Sequence, residues 1–135
     1  MAKVLGLLTV PLLEDASSFD HILAVPLHSA RLRERGFNQS ELIAAVLRRH
    51  FKVRPEPGAL TRERNTPTQV GLDRERRRSN VAGAFAWTGD LLHGRRILLV
   101  DDVFTTGVTL DSCAQTLRDA GAIAVTGVTV ARVGL

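Results

Sequence analysis

Cysteine, aromatic residues and long apolar runs are all scarce in this chain of 135 residues. The single cysteine, Cys113, excludes an internal disulfide, a cysteine-rich zinc ribbon and a Cys-X-X-Cys redox pair within the chain. Apolar runs last only a few residues, as at Ile97 to Val100, whereas a membrane-spanning helix needs about 20. Aromatic residues make up 4% and tyrosine is absent, which weighs against a surface that stacks the bases of single-stranded nucleic acid.

What is present is the composition of a globular domain, with 44% hydrophobic and 24% charged residues. The length suits one compact domain, and we expect an N-terminal segment over residues 1–20 and a single domain over residues 21–135. The apolar stretch after Lys3 has the outline of a signal peptide. Pro11 interrupts it, however, and Glu14 and Asp15 follow at once without an Ala-X-Ala site. We therefore expect a cytoplasmic protein with no membrane association.

Basic residues exceed acidic ones by 18 to 14, and 16 of the basic residues are arginine. Guanidinium groups match phosphate oxygens bidentately, so this excess favours an anionic ligand. The simpler interpretation is a preference for arginine codons, with solvated side chains. The arginines cluster in two groups: Arg31, Arg33 and Arg35, and then Arg62, Arg64, Arg74, Arg76, Arg77 and Arg78.

The apolar pattern alternates between strands and helices along the chain. Asn38 is a plausible N-cap for one helix, with Glu41 three residues later, and Gly121 is suited to end a second helix. This order predicts an α/β domain with a mostly parallel central sheet flanked by helices, in which ligands bind beyond the carboxyl ends of the strands. The predicted strands are 21–27, 81–87, 95–103 and 122–130, the predicted helices begin after Asn38 and span 109–120, and residues 28–31 are expected to form a loop.

Residues 61–80 form a polar stretch in which Val70 and Leu72 are the only apolar residues apart from Pro67. Structureless segments of this length are uncommon inside compact domains and are usually functional lids or disordered. We expect a flexible hood loop that orders when a phosphate-bearing ligand binds. The alternative is a permanently ordered or solvated surface loop.

The segment from Leu98 to Leu110 carries the strongest chemical signal. A buried strand ends in Asp101 and Asp102, and a loop of threonine and glycine then leads into a helix. Loop amides at a helix N-terminus bind phosphate, and Gly107 lets the backbone approach a ligand closely. Carboxylates suit sugar hydroxyls, or Mg²⁺ and its waters. The alternatives are two solvated carboxylates, although alternation along a strand would place them on opposite faces, and a Thr109 that merely caps the helix.

This segment closely resembles the phosphoribosyl pyrophosphate (PRPP) signature of type I phosphoribosyltransferases. Residues 25–28 and 31–39 resemble the ComF/GntX family, which is related to amidophosphoribosyltransferases, and so do the residues spaced along 62–85. The resemblance covers residues 21–132. Many members carry an N-terminal zinc ribbon with paired Cys-X-X-Cys motifs, and this chain contains none. The residues of the third segment that carry the resemblance are Arg62, Arg64, Thr66, Gln69, Leu72, Arg76, Asn80, Ala84 and Phe85.

The resemblance implies a role for each part of the site. Asp101 and Asp102 would be the catalytic pair that holds the ribose hydroxyls of PRPP, with Mg²⁺ reached indirectly through the bound PRPP. Arg31, Arg33 or Arg35 would be charge partners of pyrophosphate. Independently of the resemblance, the apolar helix face that carries Cys113 predicts a packed core thiol. The 5′-phosphate loop would be Thr105, Thr106, Gly107, Val108 and Thr109; the pyrophosphate loop His28, Ser29, Ala30 and Arg31; and the flexible loop would contribute Arg62, Arg64, Gln69 and Arg76.

The activity expected from this resemblance is transfer of the phosphoribosyl group from PRPP to a nitrogen nucleophile, with release of pyrophosphate. The acceptor is a small molecule that the sequence leaves open, and a homodimer is also left open. One alternative is a non-catalytic regulatory protein that binds PRPP or a nucleotide. Another is a nucleic-acid-binding component of DNA uptake (competence), suggested by the arginine clusters and the family's association with that process.

Overall fold

A computed structural model describes residues 19–27, 29–63, 84–104 and 107–132 of the chain. The expected hood loop therefore lies outside the described residues beyond position 63, and the expected N-terminal segment lies outside them up to position 18. None of the helices in the described ranges has the length and hydrophobicity that crossing a bilayer requires. The strands are β1 His21–Ala24, β2 Ala59–Arg62, β3 Phe85–Thr88, β4 Arg96–Phe104 and β5 Ala124–Arg132, and the helices are α1 Ser29–Arg35, α2 Gln39–Phe51 and α3 Val108–Asp119.

The central sheet is parallel, with β4 between β1 and β5. Along β4 the side chains alternate between two cores. Leu99 faces Cys113 and Leu117 of α3, and Leu98 faces Ile43 and Leu47 of α2. A strand that is covered by helices on both faces has apolar residues at successive positions. The apolar run of residues 97–100 therefore predicts a central strand. The fold is an α/β domain with a parallel sheet and helices on both faces, as the sequence predicts.

Helix α2 begins as the sequence predicts. Asn38 has extended backbone angles, and its side chain accepts a hydrogen bond from the Ser40 amide at 3.1 Å. The same side chain donates to the Val25 carbonyl at 3.0 Å, just beyond the end of β1. One residue thus both starts the helix and fixes its first turn against the end of the sheet.

Two local predictions are wrong. Residues 29–31 are not a loop, because they form the first turn of α1. Strand β2 was not expected: it pairs antiparallel with β3, so that Arg62 lies opposite Phe85. A strand as short and mixed as Ala59–Arg62 has no distinctive local pattern, and its conformation depends on a partner strand more than 20 residues away.

The β2–β3 hairpin requires glycine at position 58. A Cβ atom there would lie 2.6 Å from Cζ2 of Trp87 and 2.9 Å from the Thr88 carbonyl oxygen. We expect Gly58→Ala to lower the free energy of unfolding by about 1–3 kcal/mol, since the ring and the backbone would both have to move. Chemical denaturation measures the change. Gly127→Ala is the matched control, because the atoms nearest its new Cβ would be side-chain carbons of Leu110, none closer than 3.5 Å. Equal stability of the two variants would contradict the prediction.

Candidate functional site

An open cavity of about 200 Å³ lies where β1 and β4 reach their carboxyl ends. Asp101 and Asp102 border it from β4, and Val25 borders it just beyond β1. The rest of its polar lining comes from three arginines, from the hydroxyl-bearing Thr109, and from Asn38, Gln39 and Ser40 at the start of α2. The cavity is therefore at the edge of the sheet where the sequence places a ligand. Its arginines are Arg31 and Arg35 of α1 and Arg62 of β2.

Two hydrogen bonds hold the partly buried carboxyl group of Asp101. Its Oδ1 accepts from the Asp102 amide at 2.9 Å and from the Ser40 hydroxyl at 3.3 Å. Burial, followed by the neighbouring Asp102 carboxylate, raises the pKa of Asp101 from 3.8 to about 7, against the opposing effect of these two hydrogen bonds. A cationic ligand group near this pair would relieve the repulsion between the two carboxylates.

Asp101 and Asp102 share the cavity although neighbouring side chains of a strand alternate in direction. Strand β1 pairs with β4 only as far as Ala24 opposite Val100, and β4 continues to Phe104. The open space beside the projecting end of β4 therefore reaches both carboxylates.

Helix α1 brings two of its arginines to the cavity. Arg31 and Arg35 are four residues apart and so lie on one face of the helix, and both border the cavity. Arg33 is exposed and is not among the cavity residues. Of the expected pyrophosphate loop, Ser29, Ala30 and Arg31 are helical, and His28 lies outside the described residues.

Arg62 is held by a strand and not by a loop. It is the last residue of β2, and its guanidinium carbon lies 5.4 Å from the centre of the Phe85 ring. A cation over an aromatic face is attracted to it, which helps to fix the side chain at the cavity. Arg64, Gln69 and Arg76, the other residues expected in the flexible loop, lie outside the described residues.

The expected 5′-phosphate loop is described from Gly107 onwards, since Thr105 and Thr106 lie outside the described residues. Gly107 is the N-cap of α3 with a φ of 80°, in the left-handed region that favours glycine. Val108 is buried, and Thr109 borders the cavity. The positive end of the α3 dipole thus lies at the cavity, which the arginines also border. Gly107 itself borders a second cavity, between α3 and β5.

The carboxylates of the site suit a metal ion that binds together with a phosphate-bearing substrate. No group of three or more histidine, cysteine, aspartate or glutamate side chains that could hold a metal ion occurs in the part of the chain that the structure describes. Mg²⁺ commonly binds through one or two carboxylates together with phosphate oxygens of a substrate. Asp101 and Asp102 would fit that arrangement, and they would equally accept hydrogen bonds from a ribose diol.

Ser40 is the site residue that sequence reasoning missed. It is buried, and its hydroxyl contacts both Asp101 and the Asp102 amide. One sequence feature could have indicated it: Ser40 is a polar residue on the otherwise apolar face of α2 formed by Ile43, Ala44 and Leu47. A polar residue on a buried face must be hydrogen-bonded, and its partners are then candidates for the site.

Known proteins resemble this chain over most of its length, although no protein-family model matches it. Competence protein F of Haemophilus influenzae is 38% identical over 102 residues, which are 74% of this chain and 44% of that protein. Competence protein ComFC of Bacillus subtilis is 34% identical over 100 residues, 74% of this chain and 39% of that protein. This chain belongs to the ComF family. The DNA utilization protein YhgH of Escherichia coli is a further relative, 42% identical over 106 residues.

The matched region is part of a larger protein in each of these relatives. The chain covers 46% of YhgH, so it spans less than half the length of the curated relatives named above. A match over part of a longer protein does not transfer the activity of the whole relative to this chain.

Solved structures identify the fold as that of type I phosphoribosyltransferases. A hypoxanthine phosphoribosyltransferase from Staphylococcus aureus superposes with a TM-score of 0.56 at 12% identity, covering 98% of this chain and 73% of that one. The phosphoribosylpyrophosphate synthetase of Mycobacterium smegmatis gives 0.55 at 19% identity, covering 96% and 33%. At these identities the likeness shows the fold alone.

Proposed function

We propose that this ComF-family chain binds PRPP together with Mg²⁺ and transfers its phosphoribosyl group to a nitrogen nucleophile, releasing pyrophosphate. One observation carries the proposal: two adjacent carboxylates at the end of the central strand share a cavity with three guanidinium groups. Carboxylates suit the hydroxyls of a sugar, and guanidinium groups suit phosphate oxygens. PRPP carries both kinds of group within one molecule.

The proposed reaction exchanges one bond at the anomeric carbon. The bond from that carbon to a pyrophosphate oxygen breaks, a bond to the acceptor nitrogen forms, and the acceptor loses a proton. Negative charge grows on the departing pyrophosphate, where Arg31, Arg35 and Arg62 would stabilise it. Mg²⁺, when bound, would supply further charge neutralisation at the same oxygens. Asp101 and Asp102 would hold the ribose while its ring carries positive charge.

Calorimetry with PRPP and Mg²⁺ tests binding, and a pyrophosphate-release assay over nucleobases, ammonia and simple amines tests transfer. We expect a Mg²⁺-dependent heat of binding and release of pyrophosphate with at least one acceptor. Binding without release in the whole panel would favour the alternative of a non-catalytic PRPP sensor. Absence of binding at millimolar PRPP would show that the proposal is wrong.

Gly107 gives a direct test of the phosphate loop. We expect Gly107→Val to abolish measurable PRPP binding, because a branched side chain would disfavour the φ of 80° and crowd the approaching phosphate. Gly94→Val is the matched control, since Gly94 has a φ of 71° with no atom within 4 Å of an added Cβ. Thermal unfolding should show a similar loss of stability in both variants. Equal PRPP affinity in the two would show that the loop does not contact the ligand.

A second candidate function is binding of nucleic acid, which the names of the DNA utilization and competence proteins related to this chain favour. Exposed basic side chains away from the cavity support this candidate. Exposed basic residues lie in and just after the last turn of α2, and others lie at the start of β4. The end of α2 is about 20 Å from its first turn, which borders the cavity. Two acidic residues lie beside this edge: Glu56 is paired with His21 at 3.0 Å, and Asp20 lies 3.9 Å from Arg95. The residues of this basic edge are Arg49, His50, Lys52, Arg54, Arg95 and Arg96.

Binding of single-stranded DNA at several salt concentrations tests this second candidate. A contact with the phosphate backbone weakens steeply as salt rises, because bound cations are released. We expect Arg54→Glu to weaken DNA binding more than Arg33→Glu, which changes the net charge equally at an exposed site on α1. Equal weakening would reflect net charge alone, and no salt-dependent binding would exclude the candidate.

A further inference from the structure

We propose that Ser40 is a positioning residue that sets the orientation of the Asp101 carboxylate for the ligand, a role that rests on the proposed function. Among the described residues, Ser40 is the only polar one that is buried, at 3% exposure. A buried hydroxyl needs hydrogen-bond partners, and both of its partners belong to the site. Its Oγ lies 3.3 Å from Oδ1 of Asp101 and 3.1 Å from the amide nitrogen of Asp102.

The direction of these bonds follows from the parallel ladder. The Val100 carbonyl accepts from the Val25 amide at 2.8 Å, so the backbone groups of Val100 point toward β1. Two residues later the Asp102 amide points the same way, but the pairing of β1 with β4 stops at Ala24. The Ser40 hydroxyl takes the place of the next residue of β1. It accepts from the Asp102 amide and donates its one proton to Asp101.

This arrangement gives the Asp102 amide a second acceptor, beside Oδ1 of Asp101, at the point where β1 no longer supplies one. It also divides the two oxygens of Asp101. Oδ1 receives the Ser40 hydroxyl and the Asp102 amide, so Oδ2 is the oxygen that would turn toward a ligand. Without the hydroxyl, the carboxylate would lose a fixed donor and could rotate, and a ligand would have to restore its orientation on binding.

Calorimetric PRPP titrations of Ser40→Ala test this role. Alanine is the best helix former, so the variant should fold. We expect PRPP with Mg²⁺ to bind about tenfold more weakly, the size expected for one lost hydrogen bond to a charged group. Thr116→Ala is the control, because it removes a hydroxyl that donates to the Ser112 carbonyl at 3.0 Å within α3, away from the cavity. Unchanged affinity in Ser40→Ala would overturn the proposal.

A double-mutant cycle separates positioning from a general structural effect. If Ser40 acts through Asp101, adding Ser40→Ala to Asp101→Ala should cost less than twofold in affinity, because the carboxylate it orients is already gone. If the two losses instead multiply in full, Ser40 does not act through Asp101 and the proposal is wrong.

Measurements without ligand keep this outcome distinct from failure of the proposed function. If the wild-type chain binds no PRPP, the proposed function is wrong. The role of Ser40 is then tested without ligand, by measuring the thermal stability of Ser40→Ala, Asp101→Ala and the double variant, and the hydrogen exchange of the Asp102 amide. We expect non-additive stabilities and at least tenfold faster exchange in Ser40→Ala. Additive stabilities with unchanged exchange would show that Ser40 does not hold Asp101 at all.

Discussion

Replacing either carboxylate, by Asp101→Ala or Asp102→Ala, is expected to weaken PRPP binding about ten- to a hundredfold. The loss of one charged hydrogen-bonding partner costs about 1.5–3 kcal/mol, which corresponds to that range. Both side chains border the cavity at the carboxyl end of β4, so each loss should be seen with Mg²⁺ present. Isothermal titration calorimetry at fixed Mg²⁺ measures the affinities.

The control for this pair is Asp90→Ala, which removes an exposed carboxylate between β3 and β4, at the other end of the sheet. Its PRPP affinity should match that of the wild type. Circular dichroism of the two site variants should show the wild-type spectrum, since neither carboxylate is part of the apolar core. If both site variants bind PRPP as the wild type does, the carboxylates are not the ligand's partners and the proposed site is wrong.

The second large effect is on stability as a function of pH. The pKa of Asp101 is raised to about 7 in the folded chain, and its unperturbed value is 3.8. Between these values the unfolded chain releases the proton and the folded chain keeps it, so stability falls as pH rises. Below the lower value both states are protonated, and above the higher value the penalty is constant. The penalty is on the order of 4 kcal/mol at most, at about 1.4 kcal/mol per pKa unit.

Comparison with Asp101→Asn separates the contribution of the Asp101–Asp102 pair from that of distant titrating groups. Asparagine has a similar shape and no charge, so the variant should gain stability over the wild type as pH rises from about 4 to about 7, and the gain should level off above that. Urea denaturation at each pH gives the two free energies of unfolding. A difference that is flat with pH, or one that grows in the opposite direction, would show that the Asp101 carboxyl is not strained by its surroundings.

The sequence alone predicts those helices and strands whose conformation is determined by residues close to them in the chain. The Asn38 cap, the apolar stripe of α3 and the run of residues 97–100 each predict an element that the structure contains. The carboxyl pair lies near the carboxyl end of the central strand, where its place just after the apolar run puts it, and this edge of a parallel sheet is the usual ligand-binding edge. Family resemblance supplied the type I phosphoribosyltransferase fold.

Only the tertiary structure decided what surrounds that pair. Ser40 reaches Asp101 from 61 residues away in sequence, and Arg62 is fixed by a partner strand that begins at Phe85. Arg31 borders the cavity and Arg33 does not, because residues two apart on a helix lie on different faces. The sequence predicts a loop at Arg31, so it could not separate the two arginines in this way. Contacts of this kind arise from packing between distant segments, whose energies no local pattern contains. The raised pKa of Asp101 has the same origin, since burial is a property of the assembled domain and not of the peptide.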